Sequence, residues 1–254
     1  MRDANGRNEV ILVTGASRGI GRATAVLAAR EGWAVAVNYN RDSAAAEQTV
    51  KAVREAGGDA VALQADVAIE SDVVRMFDEC DRQLGPVSFL VNNAGIQAPS
   101  QPLSAMTYDR ITRMYSVHVI GTYLCCREAI ARMSTRANGR GGAIVNLSSL
   151  AAVAGGANAY VDYAGAKGAI DSLTVGLARE LAVDGIRVNA VRPGLIDTEI
   201  HASGGRPWAA QKLAHEVPIG RAGTATEVAE CIVWLLGDSA SYVTAAIVNV
   251  GGGR

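Results

Sequence analysis

The chain has 254 residues, of which 49% are apolar and 19% charged, and its net charge is −1 at pH 7. That composition builds a large buried core and excludes a disordered chain, and so balanced a charge gives no footing for nucleic acid or an anionic membrane. Four cysteines, Cys80, Cys125, Cys126 and Cys231, match neither a zinc site nor a redox CxxC pair. They read as buried reduced thiols, and no metal is expected. No apolar run reaches membrane-spanning length. The polar start, residues 1–8, lacks a signal-peptide core, so a cytoplasmic location is expected.

Short strand-like runs alternate with longer helical patterns. Strands are predicted over residues 10–14, 34–38, 60–65, 88–92, 143–147, 187–191 and 246–250. Helices are predicted over 20–31, 43–56, 71–84, 108–132, 163–183 and 226–237. Near-continuous apolar strands alternating with helices imply one α/β domain, a doubly wound parallel sheet covered on both faces. Residues 196–223 are irregular, with Gly204, Gly205, Pro207, Pro218 and a short helical candidate at 208–215. A loop that long in a compact domain is expected to be a substrate lid; the alternative is a surface insertion.

The first strand runs into Gly15-Ala16-Ser17-Arg18-Gly19-Ile20-Gly21 and then a helix. Glycines allow a tight turn and close backbone approach, and the helix N-terminus offers free N–H groups to an anion. Gly15, Ser17, Arg18, Gly19, Ile20 and Gly21 are therefore candidate phosphate contacts. The second strand ends in Asn38-Tyr39-Asn40-Arg41, where Asn38, Tyr39 and Arg41 are candidate cofactor contacts. A carboxylate there would bind the ribose of NAD and repel a 2′-phosphate. None is present, and Arg18 and Arg41 suit NADP(H) over NAD(H). Asp42 is expected to cap the next helix.

Asn92-Asn93-Ala94-Gly95 follows the fourth strand, Ser148-Ser149 ends the fifth, and Tyr163-Ala164-Gly165-Ala166-Lys167 opens a helix. With the glycine turn, and in this order, these motifs resemble the classical short-chain dehydrogenases/reductases, including 3-oxoacyl-carrier-protein-reductase-like and glucose-dehydrogenase-like members. The likeness runs through Arg192-Pro193-Gly194 to the terminal Gly251-Gly252-Gly253. It implies a seven-stranded Rossmann sheet, with Asp66 and Val67 at the adenine and Asn92, Ala94 and Gly95 lining the cofactor. Pro193, Gly194, Ile196 and Thr198 would sit near the nicotinamide. Tetramers or dimers packed through the two long central helices are implied as well.

Tyr163 and Lys167 stand four apart and share one helix face. A neighbouring ammonium, with an oxidised nicotinamide, would lower the phenol from near 10 towards the working pH of a general acid/base. The family's serine polarises the substrate oxygen. Ser149 matches best, and Ser148 stays open because the stretch to Tyr163 is about one residue longer than is common in the family. Tyr160 lacks the spaced lysine and is expected in the substrate wall. Where many relatives carry a relay asparagine, this chain has His118, read either as a relay titrating near neutrality or as a packed histidine.

The expected activity is hydride transfer between a nicotinamide and the carbonyl or alcohol of a small molecule: a sugar, polyol, ketone or 3-oxoacyl thioester. Arg206, Glu199, His201 and Asn158 are candidate contacts for substrate hydroxyls or an acid group. Arg136 and Arg140 are candidates for a carrier-protein docking patch, opposed by Asp184. The rival readings are an NADP(H)-binding sensor or scaffold without turnover, and a nucleic-acid binder. The first would have lost Tyr163, Lys167 or the serine. The second would need clustered basic residues.

Overall fold

The computed structural model describes residues 9–254; the polar start at residues 1–8 and the His201 side chain lie outside the described residues. The chain alternates β1 (Val10–Val13), α1 (Gly19–Arg30), β2 (Ala34–Tyr39), α2 (Ser43–Glu55), β3 (Ala60–Gln64), α3 (Glu70–Gln83) and β4 (Phe89–Asn92). It then runs through α4 (Tyr108–Tyr115), a π-helical segment (Ser116–Ile120) and α5 (Gly121–Met133) into β5 (Gly142–Leu147). A short α6 (Ala151–Ala154) precedes the long α7 (Val161–Leu181), and β6 (Ile186–Pro193) follows. Then come β7 (Ile196–Asp197), α8 (Ile200–Ser203), α9 (Ala209–Lys212), β8 (Gly223–Thr224), α10 (Ala225–Leu236) and β9 (Ile247–Val250).

Seven strands form one parallel sheet in the order β3-β2-β1-β4-β5-β6-β9. Side chains alternate across a strand, and here both sides are apolar. Val10 and Leu12 pack with Phe77 of α3, Cys125 of α5 and Leu181 of α7. Ile11 and Val13 pack with Ala25 of α1, Val50 of α2 and Ile232 of α10. The strand order reverses beside β1, which pairs with both β2 and β4. A doubly wound sheet opens its crevice at that switch point, outside the carboxyl ends of the strands.

Three expectations need correction. The predicted helix over 108–132 is broken by the π turn that carries His118. The stretch 196–223 is not wholly irregular: β7 pairs with β8 through Ile196–Gly223 and Asp197–Thr224, which staples its two ends together. Cys80, Cys125 and Cys126 are buried and reduced, but Cys231 is only half-buried. Among the described residues, no helix is long and apolar enough to cross a membrane, and no cluster of His, Cys, Asp or Glu could hold a metal.

A buried polar chain crosses the sheet. Asn92 Nδ2 donates to Asn146 Oδ1 at 2.9 Å, Asn146 Nδ2 to Thr174 Oγ1 at 3.0 Å, and Thr174 Oγ1 to the Ile170 carbonyl at 2.8 Å. Asn92→Leu would leave the Asn146 oxygen buried without its donor. The expected cost is about 1–3 kcal/mol, read as a lower urea midpoint with an unchanged slope; an unchanged midpoint would contradict the coupling.

Candidate active site

Four successive residues at the end of β5 organise the site. Asn146 bonds Thr174 of α7. The Leu147 carbonyl accepts from Lys167 Nζ at 2.5 Å, and Ser148 Oγ donates to the Lys167 carbonyl at 3.3 Å. Ser149 Oγ accepts from the Ala151 N–H at 3.1 Å and stands beside the Tyr163 phenol, whose pKa it lowers. Both serines line the cleft; Ser148 is tied to the Lys167 carbonyl, and Ser149 stands beside Tyr163. The helix that presents Tyr163 has its own anchor. Asp162, in the first turn of α7 where a carboxylate suits the helix dipole, takes hydrogen bonds from Arg110 at 2.7 and 3.2 Å. The same guanidinium donates to the Pro99 carbonyl at 2.6 Å, fastening the loop beyond Gly95.

Burial dominates the electrostatics. Tyr163 is pushed up to about 12, by desolvation first, with Ser149 opposing and Tyr160 adding to it. Lys167 is pushed down to about 8 by the same desolvation, against the pull of Asp171. The expectation that the ammonium lowers the phenol is thus not met in the chain alone. Lys167 Nζ lies 5.6 Å from the ring centroid and is committed to the Leu147 carbonyl, so desolvation outweighs it.

His118 is pushed down to about 3, by burial first and then by the charge of Lys167, with the Ile96 backbone opposing. It is a neutral imidazole at physiological pH, which corrects the expected titration near neutrality. Its Nε2 meets the Ile96 backbone, at 3.1 Å from the N–H and 2.9 Å from the carbonyl. Nδ1 is buried without a partner among the described residues. The ring stands edge-on to Tyr163, 5.2 Å between centroids. Gly95 makes room for it: a Cβ there would come within 2.6 Å of His118 Cε1.

A cleft of about 110 Å³ holds Ser149, Tyr163 and Lys167 together with Gly95, His118, Pro193, Gly194, Ile196 and Thr198. It continues through Ile20, Gly95 and Thr198 into a second cleft of about 510 Å³, lined by Gly15, Ser17, Arg18, Gly19, Tyr39, Arg41, Asp66, Val67 and Ala94. This second cleft fits an anionic dinucleotide. No side chain caps α1 at Arg18, so the donors of its first turn stay open to an anion. Gly19, at φ 55°, leaves that turn bare on the cleft side. Arg18 and Arg41 are exposed and have no ion pair among the described residues. Asp42 turns away, accepting from the Ala45 N–H at 3.0 Å as the cap of α2.

Three predicted cofactor contacts are placed differently. Asn92 lies inside the sheet and leaves the cleft to Asn93, whose Nδ2 donates to the Thr14 and Gly15 carbonyls at 2.8 and 3.0 Å. Asn38 borders the cleft, but its side chain is committed: Oδ1 accepts from the Gly15 N–H, and Nδ2 donates to the Leu63 and Ala65 carbonyls. Gly21 lies within the turn, where a Cβ would come within 2.5 Å of Asn93 Nδ2. Asp66 remains at the cleft, bonded by the Ala68 N–H and by Arg113. Asn93 stood in a recognised motif without a role of its own, and the sequence carried no signal for Arg113 or the Arg110–Asp162 pair, whose partners lie far apart in the chain. Arg136 pairs with Asp184 at the amino ends of β5 and β6, the end of the sheet away from the clefts. It therefore builds no patch at their entrance.

Residues 15–254 match the family described as enoyl-(acyl carrier protein) reductase. The uncharacterized oxidoreductase YgfF of Escherichia coli is 51% identical over 96% of this chain and 99% of its own. The 3-oxoacyl-[acyl-carrier-protein] reductase FabG of Staphylococcus aureus is 37% identical over 95% of this chain and 96% of its own. The crystal structure of the acetoin dehydrogenase YohF of Salmonella typhimurium superposes with a TM-score of 0.86 at 30% identity, covering 97% of each chain. The chain belongs to the short-chain dehydrogenase/reductase family and is an oxidoreductase of the type that uses a nicotinamide cofactor.

Proposed function

We propose that the chain is an NADP(H)-dependent oxidoreductase that moves a hydride between the nicotinamide and a ketone or secondary alcohol of a small molecule. The observation that carries this reading is the meeting of Ser149, Tyr163 and Lys167 on one cleft that runs into the glycine turn. The nicotinamide, when bound, supplies or accepts the hydride and, in its oxidised form, adds positive charge beside the phenol. In reduction Tyr163 gives its proton to the substrate oxygen. Ser149 donates a hydrogen bond to the same oxygen, where negative charge develops. Lys167, whose ammonium has donors beyond the one given to the Leu147 carbonyl, holds the ribose hydroxyls. His118 packs against the tyrosine as a neutral ring and offers Nδ1 to a proton relay.

Gly15, Ser17, Arg18, Gly19 and Ile20 hold the phosphates in this reading. Asp66 and Val67 flank the adenine, and Ala94, Gly95, Pro193, Gly194, Ile196 and Thr198 flank the nicotinamide end. The guanidiniums of Arg41, just past β2, and of Arg18, in the glycine turn, with Asp42 turned aside, favour NADP(H). Residues 196–223 act as the lid. The relatives' names span 3-oxoacyl and acetoin substrates, and the pairing of Arg136 with Asp184 argues against an acyl-carrier docking patch there. A cytoplasmic homodimer or homotetramer belongs to the same reading; exposed Tyr108, Ile120 and Tyr123 along α4 and α5 favour packing through that face.

Turnover of a ketone panel, followed at the reduced-nicotinamide band, tests the reaction. Tyr163→Phe is expected to lose at least about a hundredfold in kcat while still binding cofactor. Cofactor binding without turnover of any compound by the wild-type chain would point to a sensor instead. Arg41→Ala is expected to weaken NADPH about ten- to a hundredfold, the worth of a charged hydrogen bond, and NADH far less. An equal loss for both cofactors would overturn the 2′-phosphate assignment.

A further inference from the structure

Half-buried arginines in this fold are almost always tied down. Arg110 is held by Asp162, Arg113 by Asp66, Arg132 by Asp78, Asp81 and Glu128, and Arg192 by Asp171. Arg187 spends its guanidinium on the backbone carbonyls of residues 235–237 and 243. Arg206, also half-buried, has no carboxylate or carbonyl partner among the described residues. Among the described residues its guanidinium lies over the face of Tyr160, 5.4 Å from the ring centroid. Tyr160 in turn stands edge-on to Tyr163 at 6.2 Å.

An arginine stacked on an aromatic face keeps the N–H fork at its rim open, and that fork matches the two oxygens of a carboxylate. Partial burial strengthens such a pair over one in bulk water. The acid nearest in sequence on the same stretch, Glu199, faces elsewhere: its carboxylate lies 3.7 Å from where a Cβ of Gly19 would stand. The cation that lines the catalytic cleft, Lys167, is buried and gives a donor to the Leu147 carbonyl, whereas Arg206 stands outside that lining, beyond Tyr160. We propose that Arg206, seated on Tyr160, is the receptor for a substrate carboxylate, so that the chain acts on oxo acids and the matching hydroxy acids. The carboxylate lies several bonds from the reacting carbon, because the breadth of Tyr160 separates Arg206 from Tyr163. This specificity rests on the hydride-transfer reading above, whereas the anion site itself does not.

Calorimetric titration of the chain with two unreactive probes, cyclohexanecarboxylate and its neutral amide, in the presence of NADP+, reads the site directly. The wild-type chain is expected to bind the acid roughly ten- to a hundredfold more tightly than the amide. Arg206→Gln should bring that ratio to about one, and Arg206→Lys, which keeps the charge but loses the fork, should fall between. A wild-type ratio near one, a ratio unchanged in Arg206→Gln, or failure of both probes to bind would overturn the proposal. Turnover of cyclohexanone by wild type and not by Tyr163→Phe tests the underlying reaction separately. An acid preference lost in Arg206→Gln without any turnover would keep the anion site and discard the hydride-transfer reading.

Discussion

The site depends on the clamping of α7 onto the carboxyl end of β5. Residues 146–148 each bond the helix, and Ser149, the next in line, meets Tyr163. A strand end is a rigid platform, because its other residues are locked in the sheet register. One helical turn then sets the spacing of Tyr163 and Lys167. The Arg110–Asp162 pair holds the same helix from its amino end and ties the loop at Pro99 to it. Phenol, hydroxyl and ammonium are thus brought together by sheet and helix, with no long loop between them.

That rigidity has an electrostatic consequence. The burial that orders the three side chains disfavours every charged form among them: the phenol rises, the lysine falls, and His118 is held neutral. In the chain alone the tyrosine is a poor acid/base at neutral pH. In the proposed mechanism the positively charged nicotinamide ring of the oxidised cofactor would shift this balance. In the proposed mechanism, cofactor occupancy and proton-transfer competence are therefore coupled through the same low-polarity walls.

The sheet was legible in the sequence because its strands are apolar on both faces and its helices carry a clear period. The glycine turn was legible because a tight turn before a helix needs glycine at Gly15 and Gly19. The π turn was not, since nothing in residues 116–120 breaks helical periodicity; the extra backbone width shows only where His118 is drawn under Gly95. Asn92 and Asn93 are chemically identical, and strand alternation alone sends one into the sheet and the other to the turn. Asn38 looked like a cofactor contact, yet the backbone groups around it claim its whole amide. Arg113–Asp66 and Arg110–Asp162 join residues about fifty apart, and such pairings are settled by tertiary packing.

Burial holds the Tyr163 phenol high, and in the proposed mechanism the positively charged nicotinamide ring of the bound cofactor brings it down. An ultraviolet difference titration of wild type against Tyr163→Phe isolates this phenol from the other tyrosines. Without cofactor the difference signal should remain that of the neutral phenol well past pH 10 and ionise at about 12; with NADP+ bound the ionisation should move downward, towards neutrality. A phenol that titrates near its ordinary value without cofactor, or one that NADP+ leaves unmoved, would contradict the account.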